Sequence, residues 1–360
     1  MFKVKKILLT YSCTPHALCP MPYANKILLL FLLLVSDFIF CQDIHFSQFY
    51  NSPLSLNPAL TGNIDGNMRA ITNYRNQWNS ISVPYITSSI SFDSKFLEDR
   101  LKDDAIGAGL IIINDRSGEG HLSNFQFMLS TSYCKKLDAK KEHSISIGFQ
   151  AGFFQKKIDF TKLSFESQYL AGDFNTNIQS GENTLNFNIS KFDMSSGISY
   201  QLQKPGNLNI NGGFSVHHIT KPNESLSGNI APMPLLFGLY FNAKKVINEK
   251  INIKPDILFI MQNKAKELNL GSRLEYIFKT TNGVFLNFTI GAAYRTSDAI
   301  IVITGIKYEK WDVCVSYDIN NSKLHPATNF NGGFEFSIIY TDKFLSGKNK
   351  IPFSIPCIRL

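Results

Sequence analysis

Residues 286–295, LNFTIGAAYR, alternate without a break. Leu286, Phe288, Ile290, Ala292 and Tyr294 fall on one side of an extended chain, and Asn287, Thr289, Gly291, Ala293 and Arg295 fall on the other. A period of two with an aromatic at the strand end marks a strand with one apolar face. The pattern recurs at intervals of about twenty residues. In WDVCVSYDI (311–319), Trp311, Val313, Val315, Tyr317 and Ile319 oppose Asp312, Cys314, Ser316 and Asp318. In LNLGSRLEY (268–276), Leu268, Leu270, Leu274 and Tyr276 oppose Asn269, Gly271, Arg273 and Glu275. In GFEFSIIY (333–340), Phe334, Phe336, Ile338 and Tyr340 oppose Gly333, Glu335 and Ser337.

Working outward, strands are expected at 68–78, 84–93, 104–114, 122–135, 143–155, 185–202, 207–219, 234–243, 250–262 and 298–309. With the four above, that makes about fourteen. No helix-period stretch interrupts them, and 160–184 reads as a large irregular loop. A soluble β-sandwich would also alternate, but one of this length would usually divide into two domains, and no linker is visible. Strands of about ten residues are long enough to cross a bilayer when tilted. A dry sandwich core would have to bury Arg273, Glu275, Arg295 and Asp318, whereas a barrel lumen keeps them in water. The expected fold is therefore all-β: a transmembrane outer-membrane β-barrel of about fourteen antiparallel strands, spanning 64–341.

The N-terminus fits export to that membrane. Lys26 precedes the apolar run ILLLFLLLVS (27–36), and Asp37 closes it. The run is too short to span and reads as a signal leader over 1–41, cleaved before Gln42, with translation starting at Met1 or Met21. A lipoprotein signal ending at Cys41 is the rival reading, poorly served by the bulky Phe40. Of 36 basic and 28 acidic residues, Lys3, Lys5, Lys6, Lys26 and Asp37 leave with the leader, so 32 and 27 remain, about +5. These charges are dispersed, with no basic block of the kind that marks a nucleic-acid binder. Cys134, Cys314 and Cys357 remain, an odd number without regular spacing, which is neither a disulfide framework nor a zinc site. After the leader comes QDIHFSQFYNSPLSLNPALTGN (42–63), aromatic, polar and stiffened by Pro53 and Pro58. It reads as a periplasmic lead-in to the first strand, acting either as a plug or latch that seals the barrel or as a docking surface for partners.

These segments resemble, in order along essentially the whole mature chain, the PorP/SprF family of type IX secretion outer-membrane proteins of Bacteroidota. The resemblance rests on Asn57, Pro58, Ala59 and Gly62 (N-P-A-x-x-G), on Gly213, His218 and Pro222 in GGFSVHHITKP, and on Pro255, Gln262, Leu270 and Gly271 in KPDILFIMQNKAKELNLG. It continues with Gly291, Tyr294, Arg295, Asp298 and Ala299 in GAAYRTSDAI, with Tyr317 and Asp318 in SYDIN, with Glu335, and with the tail IPCIRL. His217, which doubles the histidine, and Leu360, standing where an aromatic end is common, depart from the family pattern. The resemblance implies a non-enzymatic accessory of type IX secretion in the outer membrane, related to gliding motility. It would support secretion or surface display of adhesins by binding clients or periplasmic partners, in contact with outer-membrane lipid and with no cofactor. The alternative is a porin-like or fatty-acid-channel-like barrel for solutes.

The search for chemistry along the chain finds little. His217 and His218 are adjacent, so on a strand they point to opposite faces and cannot share a metal. Asp173, Asn175 and Asn177 have calcium-loop spacing, but Ile178 stands where such a loop needs Gly. The glycines of GEGHLS (118–123) and GAGLII (107–112) read as strand-turn glycines without phosphate-binding context, and no G-x-S-x-G elbow is present. Arg273, Glu275, Arg295, Asp312, Asp318 and Glu335 are expected to face the lumen, bracing the barrel in cross-strand pairs or forming a surface for a bound polypeptide. The tail 342–360 is basic, carries Phe353, Ile355 and Ile358, and is a further candidate for docking or for filling the lumen.

Overall fold

The computed structural model describes residues 43–342, apart from 82, 97–100, 102–103, 171, 176–177, 179, 182–187, 280–284 and 324. The leader and the tail after Asp342 lie outside the described residues.

Alternation becomes strands throughout. In chain order they are β1 (Met68–Gln77), β2 (Tyr85–Phe96), β3 (Ala105–Ser117), β4 (Leu122–Lys136), β5 (His143–Lys157), β6 (Tyr169–Leu170), β7 (Asp173–Phe174), β8 (Asn188–Lys204) and β9 (Leu208–His217). Then follow β10 (Leu236–Val246), β11 (Ile251–Gln262), β12 (Ala265–Lys279), β13 (Phe285–Arg295), β14 (Ala299–Tyr308), β15 (Trp311–Asn320) and β16 (Asn331–Asp342). Fourteen of them close a barrel in which each strand pairs with the next, and β16 returns to β1. The closing register runs from Met68 opposite Asp342 to Gln77 opposite Gly333, so no strand edge is left open. β6 and β7 form a small separate hairpin within the long 158–187 connection, of which the sequence suggested 160–184 would be an irregular loop.

The faces fall as the alternation requires. On β13, Phe288, Ile290, Ala292 and Tyr294 are exposed on the outside, while Thr289, Ala293 and Arg295 are buried inside. Aromatics gather at both rims. Tyr133, Tyr200, Tyr308 and Trp311 are exposed at one end, and Tyr85, Tyr294, Tyr317 and Phe334 at the other. Such girdles mark the two membrane interfaces. Connections at the Met68–Asp342 end are short, as at 205–207, 247–250 and 309–310, whereas the opposite end carries 158–187, 218–235 and 321–330. Short turns face the periplasm in outer-membrane barrels and long loops face outward.

The lumen is occupied by the chain itself. Residues 43–67 enter at the loop-rich end and descend to the turn end, as a 3-10 turn (Phe49–Asn51), a single α-turn (Pro53–Leu56) and a second 3-10 turn (Pro58–Leu60). Pro53 and Pro58 each sit in the first turn, where the missing N–H costs no hydrogen bond. Phe49, Leu56 and Leu60 pack against Tyr240 and Leu258 of the wall, and Leu54 packs against Ile111, Ile113 and Met128. Each such side chain contributes about 1.5–3 kcal/mol by leaving water. The wall is apolar where the plug is apolar. Of the two roles weighed for 42–63, latch and docking surface, this is the arrangement of a plug inside the barrel.

Candidate functional site

The lower half of the plug is seated by its backbone. Three inward glycines on three strands leave room for it. A Cβ on Gly107 of β3 would stand 2.2 Å from the Thr61 carbonyl oxygen. On Gly148 of β5 it would stand 2.2 Å from the Pro58 carbonyl carbon, and on Gly197 of β8 it would stand 2.0 Å from Asn57 Oδ1. Gly107 was expected at a strand turn, but it lies within β3, and close backbone approach explains it. Asn57 ties the motif together. Its Oδ1 accepts from Ala59 N–H at 2.8 Å, and its Nδ2 donates to the carbonyls of Ile198 (3.1 Å) and Phe214 (3.0 Å) on β8 and β9. Gly62, at φ +69°, donates its N–H to Asp93 at 2.8 Å. Arg69 holds the same carboxylate with two nitrogens, at 3.0 and 2.8 Å.

The upper half is held by charge and side-chain hydrogen bonds. Glu335 accepts the Ser47 N–H at 2.7 Å and the Gln48 N–H at 2.9 Å. One oxygen of Asp318 accepts from Ser47 Oγ (2.7 Å), Arg75 (3.1 Å) and Arg295 (2.7 Å). Arg75 and Arg295 are 2% and 1% exposed, so these guanidinium groups depend on their partners. A register shift between Asp318 and Ile319 falls at the same place, a bulge of the kind that re-aims a side chain. Gln48 Nε2 donates to Ser316 Oγ, and its Oε1 accepts from Asn51 and Ser337.

At the loop-rich mouth, Asp43 is anchored twice: its N–H donates to Gln262 Oε1 at 2.7 Å, and its carboxylate meets His218 Nε2 at 2.7 Å. The other ring nitrogen of His218 meets Asp193 at 2.6 Å. Burial works against a charged His218, but the Asp43 and Asp193 carboxylates outweigh it and raise its pKa to about 10. Burial would raise Asp43; the imidazolium beside it and the Ile44 N–H bring it below the usual carboxylate value. The sequence expectation that His217 and His218 point to opposite faces is corrected here. His218 leaves the strand at φ +60°, so both rings lie inside, with centroids 6.5 Å apart. Among the described residues no group of three or more His, Cys, Asp or Glu is arranged to hold a metal ion; Asn177 of the calcium-like spacing lies outside them.

The six lumen charges therefore do not form one cluster. Arg295, Asp318 and Glu335 meet on the plug. Arg273 lies over the Tyr50 ring, 3.2 Å from its centroid, and bonds Asp256 at 3.2 Å. Glu275 pairs with Lys254 at 2.6 Å and Lys244 at 3.2 Å. Asp312 stands apart, near Cys314. Of the other motif positions, Asn57, Pro58, Ala59, Gly62, His218 and Gln262 converge on the plug. Gly271 makes space beside Asp256, Tyr294 and Tyr317 face outward, and Pro222 lies in an outer loop, accepting from Met233. Sequence reasoning missed Arg75, Asp93, Asp193 and the wall glycines. Inward-phase glycines on β3, β5 and β8 were the available signal.

These features define a plugged outer-membrane β-barrel. The family described as type IX secretion system membrane protein PorP/SprF matches residues 39–340, and the chain belongs to it. No curated protein matches. Among solved structures, the Pseudomonas putida toluene transporter TodX is similar at 11% identity and TM-score 0.46, over 82% of this chain and 94% of that one. The monoaromatic hydrocarbon channel CymD is similar at 11% and 0.45, over 82% and 93%. A Pseudomonas aeruginosa FadL homologue is similar at 10% and 0.41, over 79% and 92%.

Proposed function

We propose that this type IX secretion barrel works by binding, supporting the secretion or surface display of adhesin-like client proteins in gliding-related export, without catalysis of its own. The observation that carries this reading is the plug. A lumen crossed by the protein's own chain, seated in close contact on Gly107, Gly148 and Gly197, is poorly suited to conduct solutes. The binding surface then lies on the loops. Tyr169, Leu170 and Phe174 on the β6–β7 hairpin and Ile230 in the 218–235 connection are exposed at the loop-rich end, and apolar groups offered to water mark interaction sites. The test compares secreted and surface proteins, and small-solute uptake, in cells with and without this chain. Lost secretion with normal uptake supports the proposal. Normal secretion with lost uptake overturns it in favour of a solute channel.

A further inference from the structure

Beneath the plug, at the turn end, the lumen widens into a polar vestibule of about 580 Å³. One wall is a grid of carboxamides. Gln201 and Gln203 of β8 stand in register with Asn211 and Asn209 of β9, and Asn211 in turn with Asn242 of β10. Along a strand, residues two apart repeat at about 6.8 Å, the same spacing at which an extended peptide presents its main-chain groups on one side. Each carboxamide carries both a donor and an acceptor. Asn242 Oδ1 and the Tyr50 hydroxyl, both lining this space, are buried without a hydrogen-bond partner. Two strands on from β8, past β5, the same space is lined by Cys134, a free and half-buried thiol on the inward face of β4.

The last barrel strand ends beside this place. β16 ends at Asp342 on the same rim, and residues 343–360 follow. Four strand spacings of about 4.8 Å separate β16 from β4 through β1, β2 and β3, about 19 Å. The fifteen residues from Asp342 to Cys357 can span up to about 50 Å. The stretch IPFSIPCI, 351–358, is uncharged, which suits the carboxamide face of the vestibule; Asp65, Arg69, Lys95 and Lys136 line other parts of it. We propose that residues 343–360 dock in this vestibule and that Cys357 forms a disulfide with Cys134. The two thiols lose two protons and two electrons to a disulfide-bearing oxidoreductase of the exported compartment, whose own disulfide is reduced to two thiols. Oxidising conditions outside the cytosol permit such a bond. Cys314, buried beside Asp312, stays reduced.

This inference goes beyond the binding reading and does not depend on it, so its readout is covalent structure rather than secretion. Free thiols are alkylated as outer membranes are harvested, and the full chain is digested without reductant and analysed by mass spectrometry. The expected product is a linked peptide pair containing Cys134 and Cys357, with Cys314 alkylated; in Cys134→Ser, Cys357 becomes alkylated instead. Alkylation of both Cys134 and Cys357 in the unaltered protein overturns the proposal. So does a linkage of Cys357 to Cys314 or to another protein.

Discussion

Between Asn57 and Gly62 the plug meets the wall with its backbone; between Asp43 and Asn51 it meets the wall through ionised and hydrogen-bonding side chains. The lower contact is steric. Glycines on three strands leave space for one path of the chain: a carbon added at Gly107 or Gly148 falls on plug backbone, and one added at Gly197 falls on the Asn57 side chain. The upper contact is electrostatic, with Ser47 and Gln48 held by Glu335 and Asp318, and Asp43 held by His218. Close packing has no graded response, whereas charge responds to protonation and to the loss of a partner. The plug is thus seated by close packing at the turn end and held by titratable groups at the loop-rich mouth.

The largest effect should come from the shared carboxylate. Asp318→Ala removes the carboxylate that Arg75 and Arg295 share, leaving buried Arg295 on Asp298 and buried Arg75 on Glu335 at 3.9 Å, and breaking a buried ion pair costs about 3–5 kcal/mol. The heat needed to unfold the barrel on a gel should fall, and residues 43–51 should become open to protease, while cleavage near Asn57 stays slow. Release of both halves together would abolish the distinction drawn above. Next comes Gly148→Ala, whose Cβ cannot fit without moving Pro58; overpacking of this kind costs about 1–3 kcal/mol. Its control is Gly118→Ala, a turn glycine at φ +67° with nothing within 4 Å of its Cβ. There the cost is backbone strain of about 1–2 kcal/mol, and protease access to the plug should not change. Equal plug exposure in the two variants would mean that the glycine seat is not steric.

The barrel was legible in the sequence because a membrane strand must show period two. Arg295, Asp318 and Tyr294 alone settle which face of the last third is wet. The plug was only half legible. Pro53, Pro58 and the N-P-A turn announced a stiff segment, but nothing local told where it goes, since its partners lie as far away as Gln262 and Glu335. The water expected around Arg295, Asp318 and Glu335 is replaced by the plug: the Ser47 hydroxyl meets Arg295 and Asp318, and the Ser47 and Gln48 N–H groups meet Glu335. Gly107, Gly148 and Gly197 could have been read from their inward phase, yet a glycine in a strand looks the same whether it faces solvent or another chain segment. His218 escaped strand logic because its left-handed backbone turns the ring inward.

Asn57→Ala sharpens the lower seat at smaller cost. It removes the cap on Ala59 and both donations to β8 and β9, an effect of about 1–2 kcal/mol. Asn57→Asp keeps the cap acceptor but sets a carboxylate against two carbonyls, so it should rescue little. Recovery by Asp to the unaltered melting point would show that capping, and not anchorage to the wall, is what Asn57 supplies.

The smallest effect is the pH response of the outer mouth. His218 has its pKa raised to about 10 in the folded protein, against about 6.5 in an unfolded chain. Its contribution is therefore complete below about pH 6.5 and declines as pH rises toward 10. Asp43 is shifted downward, so its contribution is present above about pH 3.9, the unfolded value, and is lost only in stronger acid. Between these limits the latch holds, and on the alkaline side it weakens first. Releasing the plug removes Asp43 alone and leaves Asp193 on the other ring nitrogen, which keeps the effect modest. Hydrogen exchange of residues 43–50, corrected for the intrinsic rise with pH, should lose protection between pH 7 and 10, while residues 57–62 hold theirs. In His218→Gln the slope should vanish, with protection low throughout. Parallel loss in both halves of the unaltered protein would mean that alkali loosens the whole barrel and that the imidazolium is not the group being titrated.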